Sequence, residues 1–252
     1  MQSELITEIQ SKAFFNYPYA FSSICLVYPL TIGQIMGSVG MLNYSSYLSI
    51  LTMDEFDIAE NAKRKGITID PSTINTFHFI IDSAKQNYSF LLEVKNAFRT
   101  FVGEEITILF DEYIIVIGDL EEKRFITSEN FGDFQNIVRV QNKKTVKEDP
   151  PPDESPIRRK FRMKAEYRDA VKRNQKSNDP NAPDFLALMS SFCCYKDGIT
   201  PEELKNYSFF AFKEEFERHQ LREKYSIDVK SILAGADPKK VKPEPWIKKI
   251  SN

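Results

Sequence analysis

Ile106-Thr107-Ile108-Leu109-Phe110-Asp111-Glu112-Tyr113-Ile114-Ile115-Val116-Ile117-Gly118 is the stretch that decides the fold class. Two β-branched runs flank a two-residue polar break, Asp111-Glu112, which is the pattern of two strands joined as a hairpin. Neither break residue is the glycine that a tight primed turn favours, so a loop longer than two residues is expected. The remaining strong periods are helical. The expected fold is therefore α+β: mostly helical, with a β-hairpin near 105–118 in an N-terminal domain and a small helical C-terminal domain.

Upstream, Ile24 to Pro29 is an apolar run closed by proline, readable as a strand or a buried extended segment. Ile32, Ile35, Met36, Val39 and Leu42, then Tyr44, Tyr47, Leu48 and Leu51, recur at helical spacing. Gly40 is the weak point between them, so two helices, or one broken helix, should end near Thr52. A short helix over Asp54 to Arg64 should stop at Gly66. Ser72 or Thr73 is expected to cap the next helix, whose face holds Ile74, Phe77, Ile80 and Ile81. Phe90, Leu91, Val94, Phe98, Phe101 and Val102 make a further stripe ended by Gly103. Beyond the hairpin, Thr127 or Ser128 should cap a helix bearing Phe131, Phe134, Ile137 and Val138.

From Asn142 to Pro156 the apolar pattern stops, and Pro150-Pro151-Pro152 favours an extended spacer. Residues 149–156 are thus expected to be a linker between domains 1–148 and 157–252. In the second of these, Asp184 is expected to cap a helix bearing Phe185, Leu186, Leu188, Met189 and Phe192 that stops near Asp197-Gly198. Thr200-Pro201-Glu202-Glu203 combines a capping box with proline at the first helical position. Ser208 starts a helix on which Phe209, Phe212 and Phe216 form a stripe, either core or a partner groove, core being the commoner outcome. Asp228 to Ala234 reads as a separate short helix ended by Gly235, with Trp246 clamping the tail.

The chain has 34 basic and 36 acidic side chains, so net charge does not argue for a nucleic acid or a membrane as partner. Charge placement is less even. Between Ile157 and Lys176 nine basic residues, including Arg158, Arg159, Arg162 and Arg168, face only Glu166 and Asp169. Phe161, Tyr167, Ala170 and Val171 are the apolar contacts left to that helix. A nucleic acid or an anionic protein is the functional reading, and a solvated helix the bland one.

No catalytic motif stands out. Gly33, Gly37 and Gly40 match neither the P-loop nor the dinucleotide fingerprint, and close helix packing or a helix break explains them better. His78 and His219 are far apart, and His78 sits in an apolar run as a structural histidine would. The three cysteines, two of them adjacent at Cys193 and Cys194, give no disulfide framework and fit a reducing compartment. A Cys25/Cys193/His metal site has little in its favour. No signal peptide is visible at Met1, and no window reaches the roughly 18 apolar residues of a spanning helix. A non-enzymatic, cytoplasmic protein without cofactor or metal is the expectation.

The order Asp184-Phe185-Leu186, Gly198-Ile199-Thr200-Pro201-Glu202-Glu203, Tyr207-Ser208-Phe209-Phe210-Ala211-Phe212 and Leu233-Ala234-Gly235-Ala236 resembles small proteins from the tail modules of phages of low-GC Gram-positive hosts, including tail assembly chaperones. Ile126 to Phe131 and Val138 to Asn142 share the likeness, which spans roughly residues 105 to 250. The resemblance implies a non-enzymatic factor that binds the tape-measure protein and keeps its long helices soluble until the tube polymerises. Phe209, Phe212 and Phe216 would then be contact residues, with Arg158, Arg159, Arg162 and Arg168 as an electrostatic guide. The N-terminal region of about 100 residues is longer than a simple chaperone needs, which leaves a structural tail or baseplate component of the virion as an alternative. A nucleic-acid-binding accessory role through residues 157–176 is another, and a homo-oligomer is open.

Overall fold

The computed structural model describes residues 2–147, 153–176, 184–196, 198–237 and 240–247. Pro150-Pro151-Pro152, at the centre of the expected linker, lies outside them, as do Asp197 and the tail after Ile247.

The chain opens with helix α1 (Gln2–Phe14), whose sparse apolar pattern buries only Ile9 and Ala13 among its described side chains and gave little signal in sequence. Strands β1 (Tyr19–Phe21) and β2 (Cys25–Val27) then pair antiparallel, Phe21 opposite Cys25. The run closed by Pro29 is thus a strand, with a three-residue partner that sequence reading did not anticipate.

A short helical turn, α2 (Ile32–Gln34), runs on as a π turn over Ile35–Val39. Gly40, at φ 82°, then separates it from α3 (Met41–Thr52). Helix α4 (Glu55–Arg64) starts at Asp54, whose carboxylate accepts from Phe56 N and Asp57 N, and is followed by Gly66 at φ 80°.

The expected cap at Ser72 or Thr73 is not the one used. Those residues form a single 3-10 turn held by Asp70, and Asn75 caps α5 (Thr76–Gln86) by accepting from His78 N. Asn87 likewise caps α6 (Tyr88–Val102), which ends at left-handed Gly103.

The decisive hairpin forms as read. Strands β3 (Ile106–Leu109) and β4 (Ile114–Ile117) pair antiparallel from Ile106 opposite Ile117 to Leu109 opposite Ile114. The loop is longer than the Asp111-Glu112 break, with Tyr113 at φ 53°. A third strand, β5 (Phe125–Ile126), adds to β4 and was invisible in sequence, because two residues carry no alternation. Arg124 fixes this end of the sheet with two parallel hydrogen bonds to Glu104, at 2.9 and 2.7 Å.

Helix α7 (Phe131–Gln141) follows. Neither Thr127 nor Ser128 caps it; Asn130 takes the N-cap position and turns its side-chain oxygen back to accept from Thr127 N. The main core lies among α3, α5, α6, α7 and the three-stranded sheet. Phe98, Phe101, Phe134, Ile115 and Ile126 are fully buried there, and Phe98 stacks on Phe134 at 5.2 Å.

Beyond the proline segment come α8 (Pro156–Lys176), α9 (Phe185–Tyr195), the one-turn α10 (Pro201–Leu204) and α11 (Phe209–Leu233). Thr200 and Glu203 make the expected capping box on α10. The separate short helix expected from Asp228 is instead the end of α11, because no glycine or proline interrupts its charged middle.

A second core gathers Ile32, Phe192, Leu204 and Phe212, with Phe209 and Phe216 half-buried around them. Backbone bonds stitch this core to the N-terminal part: Phe209 N to Leu30 O, Ile32 N to Tyr207 O and Gly33 N to Lys205 O, at 2.8, 2.9 and 2.8 Å. A Cβ on Gly33 would lie 3.0 Å from Lys205 O, so the missing side chain permits that approach.

Candidate binding groove between two helices

The basic helix α8 packs on α4, and the contact explains which of its residues are already engaged. Ala170 is buried. Tyr167 donates its hydroxyl to Glu60 at 2.6 Å, and Lys63 lies 5.5 Å above the Tyr167 ring. The Tyr167 hydrogen bond holds the Glu60 carboxyl below its ordinary range, helped against burial by Arg64.

Arg162 is held at both ends of its guanidinium, by Glu154 at 2.9 and 3.0 Å and by Glu166 at 2.9 Å. Those hydrogen bonds raise the Arg162 pKa and lower that of Glu154, so both are fixed as ions. Arg162 therefore belongs to the scaffold of the helix.

What remains open is a groove of about 1050 Å³ between α8, the near face of α4 and the segment around Ile69. From α8 it is lined by Pro156, Arg159, Lys160, Phe161, Met163, Lys164, Tyr167 and Arg168, with Glu154 just before the helix. Apart from Phe161, these helix positions repeat at three and four residues, so they form one continuous stripe. Phe56, Ala59 and Lys63 make the matching stripe on α4.

Phe161 flanks the groove with 69% of its surface exposed, and Ile69 is 37% exposed. Lys63, Arg159, Lys160, Lys164 and Arg168 supply positive charge around this apolar lining. Lys160, Lys164 and Arg168 form no ion pair with a described residue.

Of the residues singled out from sequence, Arg159 and Arg168 thus line the groove, and Arg158 is exposed on α8 outside it. Arg173 and Lys176 have side chains outside the description. Phe209, Phe212 and Phe216 are elsewhere, in the second core. Phe212 is fully buried and rests on Phe185, Phe192 and Phe216, so within this fold its face is occupied by the chain itself.

Sequence reasoning missed the opposite wall, Lys63, Thr68, Ile69 and Pro71. Its only signal was an apolar pair, Ile67 and Ile69, left without a helical period to join.

The other candidates resolve as packing. His78 is half-buried against Tyr113 at 4.3 Å, and His219 stacks on Tyr195 at 3.5 Å. Burial pushes the Cys25 thiol up to about 12. Among the described residues no three His, Cys, Asp or Glu side chains cluster as a metal site requires. No described helix is long and apolar enough to cross a membrane.

Residues 173–251 match the family model described as the YomV second domain, YomV being a Bacillus prophage protein. The family is phage-related, and the match carries no statement about tail assembly chaperones. It covers the last turn of α8 and all of α9 to α11, and leaves the groove outside. No curated protein and no solved structure matches the chain.

Proposed function

We propose that this chain is a non-enzymatic, protein-binding factor of phage origin that acts in tail assembly, with the groove between α4 and α8 as its contact surface. The groove carries the reading: an apolar channel flanked by cations is built to hold a side-chain-rich polypeptide surface. The phage-related family of residues 173–251 supports the setting. The tape-measure protein is the partner that the resemblance to tail-module proteins suggests.

Co-expression with the tape-measure protein of the same phage tests this. The expected outcome is that more of that protein stays soluble and that it co-purifies with this chain. A well-folded chain that leaves the tape-measure protein insoluble and uncaptured overturns the assignment.

One observation favours a second reading, a nucleic-acid-binding accessory protein: Arg158, Arg159, Lys160, Lys164 and Arg168 are exposed on a single helix. That reading expects affinity for an oligonucleotide that falls steeply with salt, because phosphate binding releases counterions. The apolar lining between those cations, Met163, Ile69 and Pro71, weakens it, because a phosphate backbone gains nothing from that surface.

A further inference from the structure

The α4 and α8 walls are helices, whose backbone groups are already paired, and the extended wall from Thr68 to Pro71 spans only four residues, so the groove offers at most a short edge to an incoming strand. An occupant that satisfies its own backbone fits better. From Pro156 to Arg168 the α8 stripe runs about 18 Å at 1.5 Å per residue, which is about three turns of a helix laid alongside.

The lining fixes the occupant's chemistry. Met163, Pro71, Ile69, Ala59 and the exposed Phe161 ask for an apolar stripe. Lys160, Lys164 and Arg168 ask for carboxylates on its flanks; Glu154, which also lines the groove, does not answer them because Arg162 holds it. A nucleic acid is the poorer fit: Tyr167 is tied down by Glu60 and covered by Lys63, which leaves Phe161 as the exposed ring for base stacking, and the apolar Met163, Ile69 and Pro71 offer a sugar-phosphate backbone no polar partner.

We infer that the groove between α4 and α8 binds an acidic amphipathic helix of its partner protein, about three turns long, apolar face inward. This rests on the protein-binding reading above and names the segment that would be recognised. The apolar lining provides most of the affinity, and the cations set orientation and exclude basic helices.

The test uses the full chain and three labelled synthetic peptides: an acidic amphipathic helix, the same helix with each Glu replaced by Lys, and a scramble of the acidic one. Fluorescence anisotropy should show binding of the acidic helix alone. The double variant Lys160→Glu, Lys164→Glu, at exposed positions where circular dichroism should stay unchanged, should weaken it about tenfold. Equal binding of the scramble, no binding of the acidic helix, or tighter binding of a single-stranded oligonucleotide overturns the inference. So does a dimer in sedimentation that the double variant dissociates, since the groove would then be filled by a second copy.

Co-expression with the tape-measure protein separates the two proposals. Capture that survives the double variant while the acidic helix fails to bind leaves the protein-binding reading and removes the helix. Binding of the acidic helix without capture removes the tail partner and leaves the groove's chemistry.

Discussion

Lys143 keeps only 3% of its side chain exposed, with its ammonium 2.7 Å from Glu214 and 3.0 Å from Glu217 on α11. Glu214 also accepts from Arg218 at 2.6 Å. Burial pushes the Glu214 pKa up, but the bonds from Lys143 and Arg218 outweigh it and hold the carboxyl below its ordinary range. A depressed carboxylate stabilises the fold above its unfolded pKa, and that contribution disappears as the pH falls through the folded value. Lys143→Met keeps the chain length, removes the charge and leaves two partly buried carboxylates without it. The expected cost is about 2–3 kcal/mol near neutral pH, below the range for a fully buried pair because both carboxylates retain solvent contact. Urea titrations at a series of pH values should show the difference between the two proteins shrinking once the pH drops below the ordinary carboxylate range. A pH-independent difference would mean that packing, including the Lys143 contact with the Phe210 ring, dominates.

Among elements, the join between the π turn and α3 turns on one residue. Gly40 adopts φ 82° and ψ 140°, a region closed to side chains, whereas Gly37 has open space where a Cβ would go. Gly40→Ala should cost about 1–2 kcal/mol, and Gly37→Ala should be neutral or stabilising by up to about 1 kcal/mol, read as midpoint shifts at constant slope in urea. Equal effects at the two glycines would show that the break imposes no conformational demand. Gly40 was legible as a weak point because it interrupts a long apolar stripe. Helices α3, α5, α6 and α7 were legible because each carries apolar residues at helical spacing, although α7 also buries Gln135, Arg139 and Gln141 off that stripe. Helix α1 buries too few residues to show a period, and β1 and β5 are too short to alternate. The α5 cap went to Asn75 instead of the nearby hydroxyl residues because Asn competes equally for that position and turn geometry decides, whereas Asn130 starts α7 without a side-chain cap bond, its amide oxygen being taken by Thr127 N. The charge of α8 was readable from composition. The opposite wall of the groove was not, because Lys63 and Ile69 lie far away in sequence and only packing brings them there.

Across the whole molecule, the proline segment divides the sequence, yet packing crosses it. Ile32 belongs to the second core, Phe209 packs against both cores, and Tyr44 donates to Asn142 at 2.7 Å while its ring meets Phe209 at 5.4 Å. Thermal unfolding followed by far-ultraviolet and aromatic signals should therefore give one coincident transition. A fragment of residues 157–252, lacking Leu30 and Ile32, should show helix content without a cooperative melt. Two separated transitions, or a fragment that melts cooperatively, would mean that the shared contacts are dispensable.

The antiparallel bridge between Thr31 and Ser208 joins residues made early and late in synthesis. A nascent chain must therefore carry Leu30, Ile32 and their unpaired backbone groups until residues 205–209 leave the ribosome. A product cut short before Lys205 would be complete through β5 and α7 and still display an apolar, open-ended seam. That seam is what a chaperone or protease would meet, so the fold distinguishes finished chains from truncated ones before either reaches a partner.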